Sequence, residues 1–99
     1  MSDIARRVLI RGRVQGVGFR AFVEHAALRH GVHGWVRNRR DGSVEAVFAG
    51  TPEAVTAVIA VCQHGPGGSR VDRVDAAPAG PDDIGKRYTG ELFSVLPTA

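Results

Sequence analysis

Gly12-Arg13-Val14-Gln15-Gly16-Val17-Gly18-Phe19-Arg20 is the stretch whose residue types and spacing suit chemistry on an anion. It follows the apolar run Val8-Leu9-Ile10 and opens a segment of helical periodicity, so a strand hands the chain to a helix there. The first amides of a helix lack partners within the helix and carry the positive end of its dipole. A loop that turns its own N–H groups the same way completes an anion cradle. Gly16 and Gly18 allow a tight curl and close approach to a ligand, and the amides of Gln15, Gly16, Val17, Gly18, Phe19 and Arg20 are the candidate donors. Arg20 adds a permanent charge and a planar fork of donors matched to phosphate oxygens.

Three familiar phosphate loops fit less well. A Walker A loop requires Gly-Lys followed by a hydroxyl residue, and the stretch contains no lysine. Gly16-Val17-Gly18-Phe19-Arg20-Ala21 satisfies a dinucleotide-binding pattern on paper, but that pattern belongs to a doubly wound parallel sheet for which this chain is too short. The loop of cysteine phosphatases places a thiol six residues before its arginine; here that position is Val14. A cradle without a covalent nucleophile leaves water as the attacking group.

Together with Gly34-Trp35-Val36-Arg37-Asn38 and Asp41-Gly42-Ser43-Val44-Glu45, the first stretch closely resembles the two signature segments of the acylphosphatase family. The resemblance covers most of the chain and is clearest from about residue 5 to residue 75. It implies hydrolysis of acyl phosphates to a carboxylate and inorganic phosphate, with neither metal nor organic cofactor. It also implies that Asn38 positions the water while Arg20 and the amides of residues 15–20 hold the phosphoryl group. A carboxamide can donate to and accept from one water molecule, but it takes up no proton at neutral pH. Without a general base, the leaving group must depart easily. The carboxylate of an acyl phosphate does so, because its parent acid has a pKa of about 4. In-line attack on phosphorus is the expected mechanism, and a non-enzymatic anion-binding or regulatory module on the same fold is the alternative.

The elements that must position these groups follow from patterning. Residues 5–12 read as a first strand with Val8 and Ile10 on one face. Phe19, Phe22, Val23, Ala26, Ala27 and His30 form the stripe of a helix packed on a sheet. Val32 to Asn38 and Ser43 to Ala49 are two strands joined by Arg39-Arg40-Asp41-Gly42, a hairpin signal that sets Asn38 beside the turn. Thr51-Pro52-Glu53 announces a second helix with stripe Val55, Val58, Ile59 and Cys62. A fourth strand begins at Arg70, residues 78–90 read as a mobile surface loop, and Glu91 to Leu96 reads as a terminal strand. The expected architecture is an α+β, ferredoxin-like α/β sandwich: βαββαβ plus a C-terminal strand, with two helices on one face of an antiparallel sheet.

Composition bounds the remaining classes. The 99 residues suffice for one domain, 1–99, and the 43% apolar and 23% charged fractions are ordinary for a globular protein. The net charge of +3 comes from an arginine-rich surplus that suits a small anionic substrate. Nucleic acid is not an expected partner, because the third strand offers Phe48 without the aromatic pair of RNA-binding sheets. Cys62 is the single cysteine, so no intramolecular disulfide forms; it falls in a helix stripe as a small core residue. His25, His30, His33 and His64 match no established metal motif. The N-terminal segment from Met1 to Arg7 lacks an apolar leader and no run is long enough to span a bilayer, giving the expectation of a cytoplasmic monomer.

Overall fold

In a computed structural model describing residues 3–99, the chain runs β1 (Ile4–Arg13), α1 (Phe19–Arg29), β2 (His33–Asn38), β3 (Val44–Gly50), α2 (Pro52–His64), β4 (Arg70–Pro78), α3 (Pro81–Ile84) and β5 (Phe93–Val95). Met1 and Ser2, which head the segment read above as lacking an apolar leader, lie outside the described residues. The strands form one sheet in the order β4-β1-β3-β2-β5. No helix among the described residues is long and apolar enough to cross a membrane.

Local chemistry explains most of the element boundaries. Thr51 caps α2 by accepting from the Ala54 N–H at 3.2 Å, with Pro52 at the first helical position where a missing N–H does no harm. Between β2 and β3 the Asp41 carboxylate accepts from the Ser43 N–H at 2.9 Å and from its hydroxyl at 2.6 Å, closing the turn. Those two hydrogen bonds hold the Asp41 carboxyl below its ordinary pKa.

β3 lies at the centre of the sheet, and every one of its residues is buried. Val44, Ala46 and Phe48 join Val8, Ile10 and Val36 beneath Phe19, Val23 and Ala27 of α1 and Val55, Val58 and Cys62 of α2. This core holds α1, and with it the anion loop, against the strand that ends in Asn38. The period-2 and period-3.6 stripes of the sequence therefore meet, except that Phe22 is only half-buried and His30, expected in the α1 stripe, is exposed at the C-terminal cap of the helix.

Two expectations need correction. The first concerns residues 78–90, read as a loop, which contain α3 and cover the sheet face opposite α1 and α2. Ala79 and Ile84 pack on Trp35 and Val47, and the Trp35 indole N–H donates to the Asp83 carbonyl. A buried indole needs an acceptor as well as apolar neighbours, and this segment supplies both. Its helical turn is locally encoded too: the Asp83 carboxylate accepts from the Gly80 N–H at 2.9 Å, and Pro81 stands in the first turn.

The second concerns the last strand, which spans only Phe93–Val95 and pairs parallel to β2, so the sheet is mixed while its other pairings are antiparallel. The path of the chain explains this direction. Residues 79–92 cross from β4 at one edge to β2 at the other, entering β5 where Phe93 faces Gly34 near the start of β2. A strand entering there must run along β2 in the same sense. The ferredoxin-like outline stands, with a third, short helix on the second face and a parallel strand at its edge.

Candidate active site

Val14 and Phe19, each 1% exposed, anchor the two ends of the anion loop in the core. Between them the backbone turns through Gly16 at φ 74° and Gly18 at φ 79°, left-handed conformations that glycine adopts at least cost. Gly18 occupies the N-cap of α1, where it offers no side chain to the first amides, and no acidic residue stands in the first turn. The helix is thus uncapped at its positive end. Among the described residues, none of the amides from Gln15 to Ala21 donates to a protein acceptor; the first bond of the helix is Phe22 N–H to the Gly18 carbonyl, 3.1 Å. A run of unpaired donors at a dipole's positive end is complementary to an anion.

These groups line one cleft. Val14, Gly16, Gly18, Phe19, Arg20, Ala21, Glu24, Asn38 and Val95 surround a space of about 320 Å³. Arg20 is half-buried and forms neither an ion pair nor a hydrogen bond among the described residues, so its guanidinium fork is available to a ligand. Asn38 ends β2, and its backbone carbonyl accepts from the Ala99 N–H at 3.0 Å. Its side-chain Oδ1 is buried with no donor. An acceptor in that state gains from any small donor that reaches it, and water is the simplest.

Of the residues expected to form the cradle, the structure brings Gly16, Gly18, Phe19 and Arg20 to the cleft wall with Asn38. Gln15 and Val17 lie off that wall. Val17 is partly buried against the core, and Gln15 turns to the hairpin, where its Nε2 donates to the Arg39 carbonyl at 2.7 Å and the Ser43 carbonyl at 2.9 Å. The Gln15 side chain therefore ties the loop that cradles the anion to the turn that follows Asn38. Sequence reasoning named Gln15 only for its backbone; its long amide beside a glycine loop was the available signal.

Two acidic residues at or behind the cleft were also missed. Glu24 lines it one helical turn beyond Arg20, on the same face of α1, and has no ion-pair partner among the described residues. Glu45 lies on the other side of the sheet, 2% exposed, and binds Arg7 Nε at 2.6 Å, Arg37 Nε at 2.8 Å and Arg39 Nη1 at 3.1 Å. Burial pushes its carboxyl pKa up, but hydrogen bonds and charge from Arg37 and Arg7 more than offset this and hold it below the ordinary value. Because Arg37 and Arg39 flank Asn38, the carboxylate clamps both neighbours of the site residue from behind. Arg39, in the turn that follows Asn38, is occupied by this clamp. Nothing in the alternation of β3 distinguished Glu45 from a solvated strand residue.

Other groups able to react or ionise lie outside the cleft. Cys62 is fully buried in the core, and burial pushes its thiol pKa up to about 12, which leaves no thiolate for nucleophilic work. Asp72 and Asp75 pair with Arg70 and Arg73 on exposed β4.

Comparison with known proteins identifies the family. Residues 6–89 match the family described as acylphosphatase. Over 98 residues the chain is 59% identical to an acylphosphatase of Bradyrhizobium diazoefficiens, covering 99% of each. Among solved structures, an acylphosphatase from Bacillus subtilis superposes with TM-score 0.81 at 32% identity, covering 94% of this chain and 98% of the other. One from Coxiella burnetii superposes with TM-score 0.82 at 28% identity, covering 95% and 93%. A match of this identity along the whole chain, with the signature loop forming an unpaired amide cradle, means that the chain belongs to the acylphosphatase family.

Proposed function

We propose that the chain hydrolyses acyl phosphates to a carboxylate and inorganic phosphate, with Arg20 and the loop amides binding the phosphoryl group and Asn38 placing the attacking water. Membership of the acylphosphatase family supports the activity. One observation carries the assignment of roles: unpaired amides and an unpartnered guanidinium line a single cleft together with Asn38, whose buried Oδ1 lacks a donor.

The chemistry follows from what each group can do. The phosphoryl oxygens of the substrate satisfy the unpaired amides of the loop residues that line the cleft, Gly16, Gly18, Phe19 and Arg20, together with the Arg20 fork, charge-assisted bonds that leave phosphorus open to one side. Asn38 Oδ1 accepts from a water and turns a lone pair towards phosphorus. As the water attacks in line, the bond to the acyl oxygen breaks and a carboxylate leaves without needing a proton. Charge that builds on the phosphoryl oxygens meets donors already in place, so little reorganisation accompanies the reaction. The water's proton is lost to solvent, since the amide that orients it does not titrate. The family relationship supports inorganic phosphate as product and a small acyl phosphate as substrate, and the proposed working unit is a cytoplasmic monomer formed by the 1–99 domain.

Benzoyl phosphate hydrolysis in EDTA, with wild type, Arg20→Ala and Asn38→Ala, tests this reading. We expect turnover by wild type, loss of kcat with phosphate binding retained in Asn38→Ala, and loss of both in Arg20→Ala, with native circular dichroism throughout. Hydrolysis by a folded Asn38→Ala variant at the wild-type rate would remove the water-placing role. No hydrolysis by wild type would leave an anion-binding module as the description.

A further inference from the structure

Arg20 and Glu24 are the charged side chains that line the cleft, and they stand on one face of α1. A carboxylate in a phosphate site lowers affinity for the phosphate unless something offsets it. Glu24 is half-buried and makes neither a hydrogen bond nor an ion pair among the described residues. Arg20 itself is equally unpartnered, so Glu24 is not held as the arginine's counter-ion. A negative charge with no direct ion-pair or hydrogen-bond partner among the described residues therefore borders the binding space.

Its position fixes which part of a substrate feels it. The phosphoryl group belongs at the N-terminus of α1, among the unpaired amides. Ala21 and Glu24 continue the cleft wall along the helix, with Glu24 four residues, or about 6 Å of rise, beyond Arg20. Val95 of β5 contributes an apolar surface to the same wall. A phosphoryl group seated on the amides leaves this remainder of the cleft for the acyl group, which thus meets a small methyl, an apolar side chain and one carboxylate.

We propose that Glu24 is a specificity-determining residue, selecting acyl phosphates whose acyl group bears no negative charge and disfavouring those with an anionic acyl group. The inference rests on the acyl phosphate reading above. Rejection here is electrostatic: a second anionic group on the substrate approaches a fixed charge of the same sign in a partly desolvated cleft. For charges about 7 Å apart at an effective dielectric constant of roughly 40–80, the expected discrimination is about three- to sevenfold. It should shrink at high salt, because the Debye length falls to about 3 Å at 1 M.

The test compares kcat/KM for benzoyl phosphate and para-carboxybenzoyl phosphate in wild type and Glu24→Gln, at low and high ionic strength. The isosteric amide keeps the side chain's size and leaves no partner behind, and the ratio of the two substrates cancels any general change in phosphate affinity. We expect Glu24→Gln to raise the relative kcat/KM of the carboxylated substrate about three- to sevenfold at low salt, with the gain reduced in 1 M salt. A ratio that stays constant to within about 1.5-fold would overturn the proposal, as would an equal loss on both substrates, the signature of a residue that merely positions Arg20. Wild-type turnover of benzoyl phosphate separates the two levels: activity with an unmoved ratio refutes only the role of Glu24, whereas no turnover removes both.

Discussion

Replacing Glu45 with glutamine should destabilise the protein at neutral pH and cease to do so in acid. The carboxylate is 2% exposed and receives guanidinium donors from Arg7, Arg37 and Arg39 at 2.6, 2.8 and 3.1 Å. Removing one member of a buried ion pair generally costs about 3–5 kcal/mol, because its partner stays behind uncompensated. The arginines here are only partly enclosed, with side chains 37%, 19% and 35% exposed, so Arg7 and Arg39 regain water when the charge is lost. Arg37 is the least able to do so, although its guanidinium also lies 4.8 Å from the centre of the Trp35 ring. That discount brings the expected loss to about 2–3 kcal/mol. For a domain of this size, each kcal/mol moves Tm by about 4–8 °C, so Glu45→Gln should melt about 8–24 °C lower. The sign of the pH dependence follows from the carboxyl pKa being lowered in the folded state. Its contribution is complete above the unfolded glutamate value and is lost as pH falls through the folded one. Thermal melts of both proteins, followed by far-UV circular dichroism from pH 7 to about pH 3, should therefore converge in acid, the other carboxylates titrating alike in each. A gap below about 0.5 kcal/mol at pH 7, or one unchanged at pH 3, would refute the clamp.

Two other perturbations probe the site and the core. Gln15→Ala removes both side-chain bonds between the anion loop and the hairpin. It should lower kcat/KM for benzoyl phosphate about 10- to 100-fold while costing only about 1–2 kcal/mol in denaturant unfolding, because small displacements of positioned groups are expensive in rate; unchanged kinetics would show that the loop holds its shape alone. Cys62 should resist Ellman's reagent in the native protein at pH 8, its thiol being buried with a pKa of about 12, and should react fully in denaturant. Prompt native labelling would contradict the packing of α2.

Local patterns carried the elements whose two ends are both encoded nearby. The Thr51-Pro52 start of α2 and the Asp41-Gly42 turn are legible because capping and turn chemistry act over a few residues. Arg20 and Asn38 were legible through a signature, and the cleft that joins them depends on the hairpin and helix that sequence spacing predicts. Glu45 was not legible. Its partners Arg7, Arg37 and Arg39 come from β1, from β2 and from the turn that follows it, a convergence set by strand register and not by alternation within β3. The cover over Trp35 and Val47 is non-local as well, coming from Ala79 and Ile84. A Pro- and Gly-rich stretch reads as a loop until the indole it serves is known. The direction of β5 was hidden for a similar reason, since parallel pairing with β2 is decided by the path of residues 79–92 and not by alternation within the strand. Glu24 was overlooked because a polar residue on a helix reads as solvated until a cleft is found beside it.

The placement of β1 between β3 and β4 has a consequence for how the molecule is assembled in time. Residues at the beginning of the chain pair with Arg70–Pro78, so Val8 meets Ala76 and Ile10 meets Val74 across a very large separation in sequence. Contacts of that kind close long loops before any energy is returned, which makes folding slow relative to helical proteins of the same size. On the ribosome, the first strand emerges with both edges bare and waits for partners synthesised much later. The anion loop hangs directly from the end of that strand. Its geometry can become final only after the last third of the chain has been made, so ligand binding reports completed folding, whereas the helices and the hairpin can form earlier.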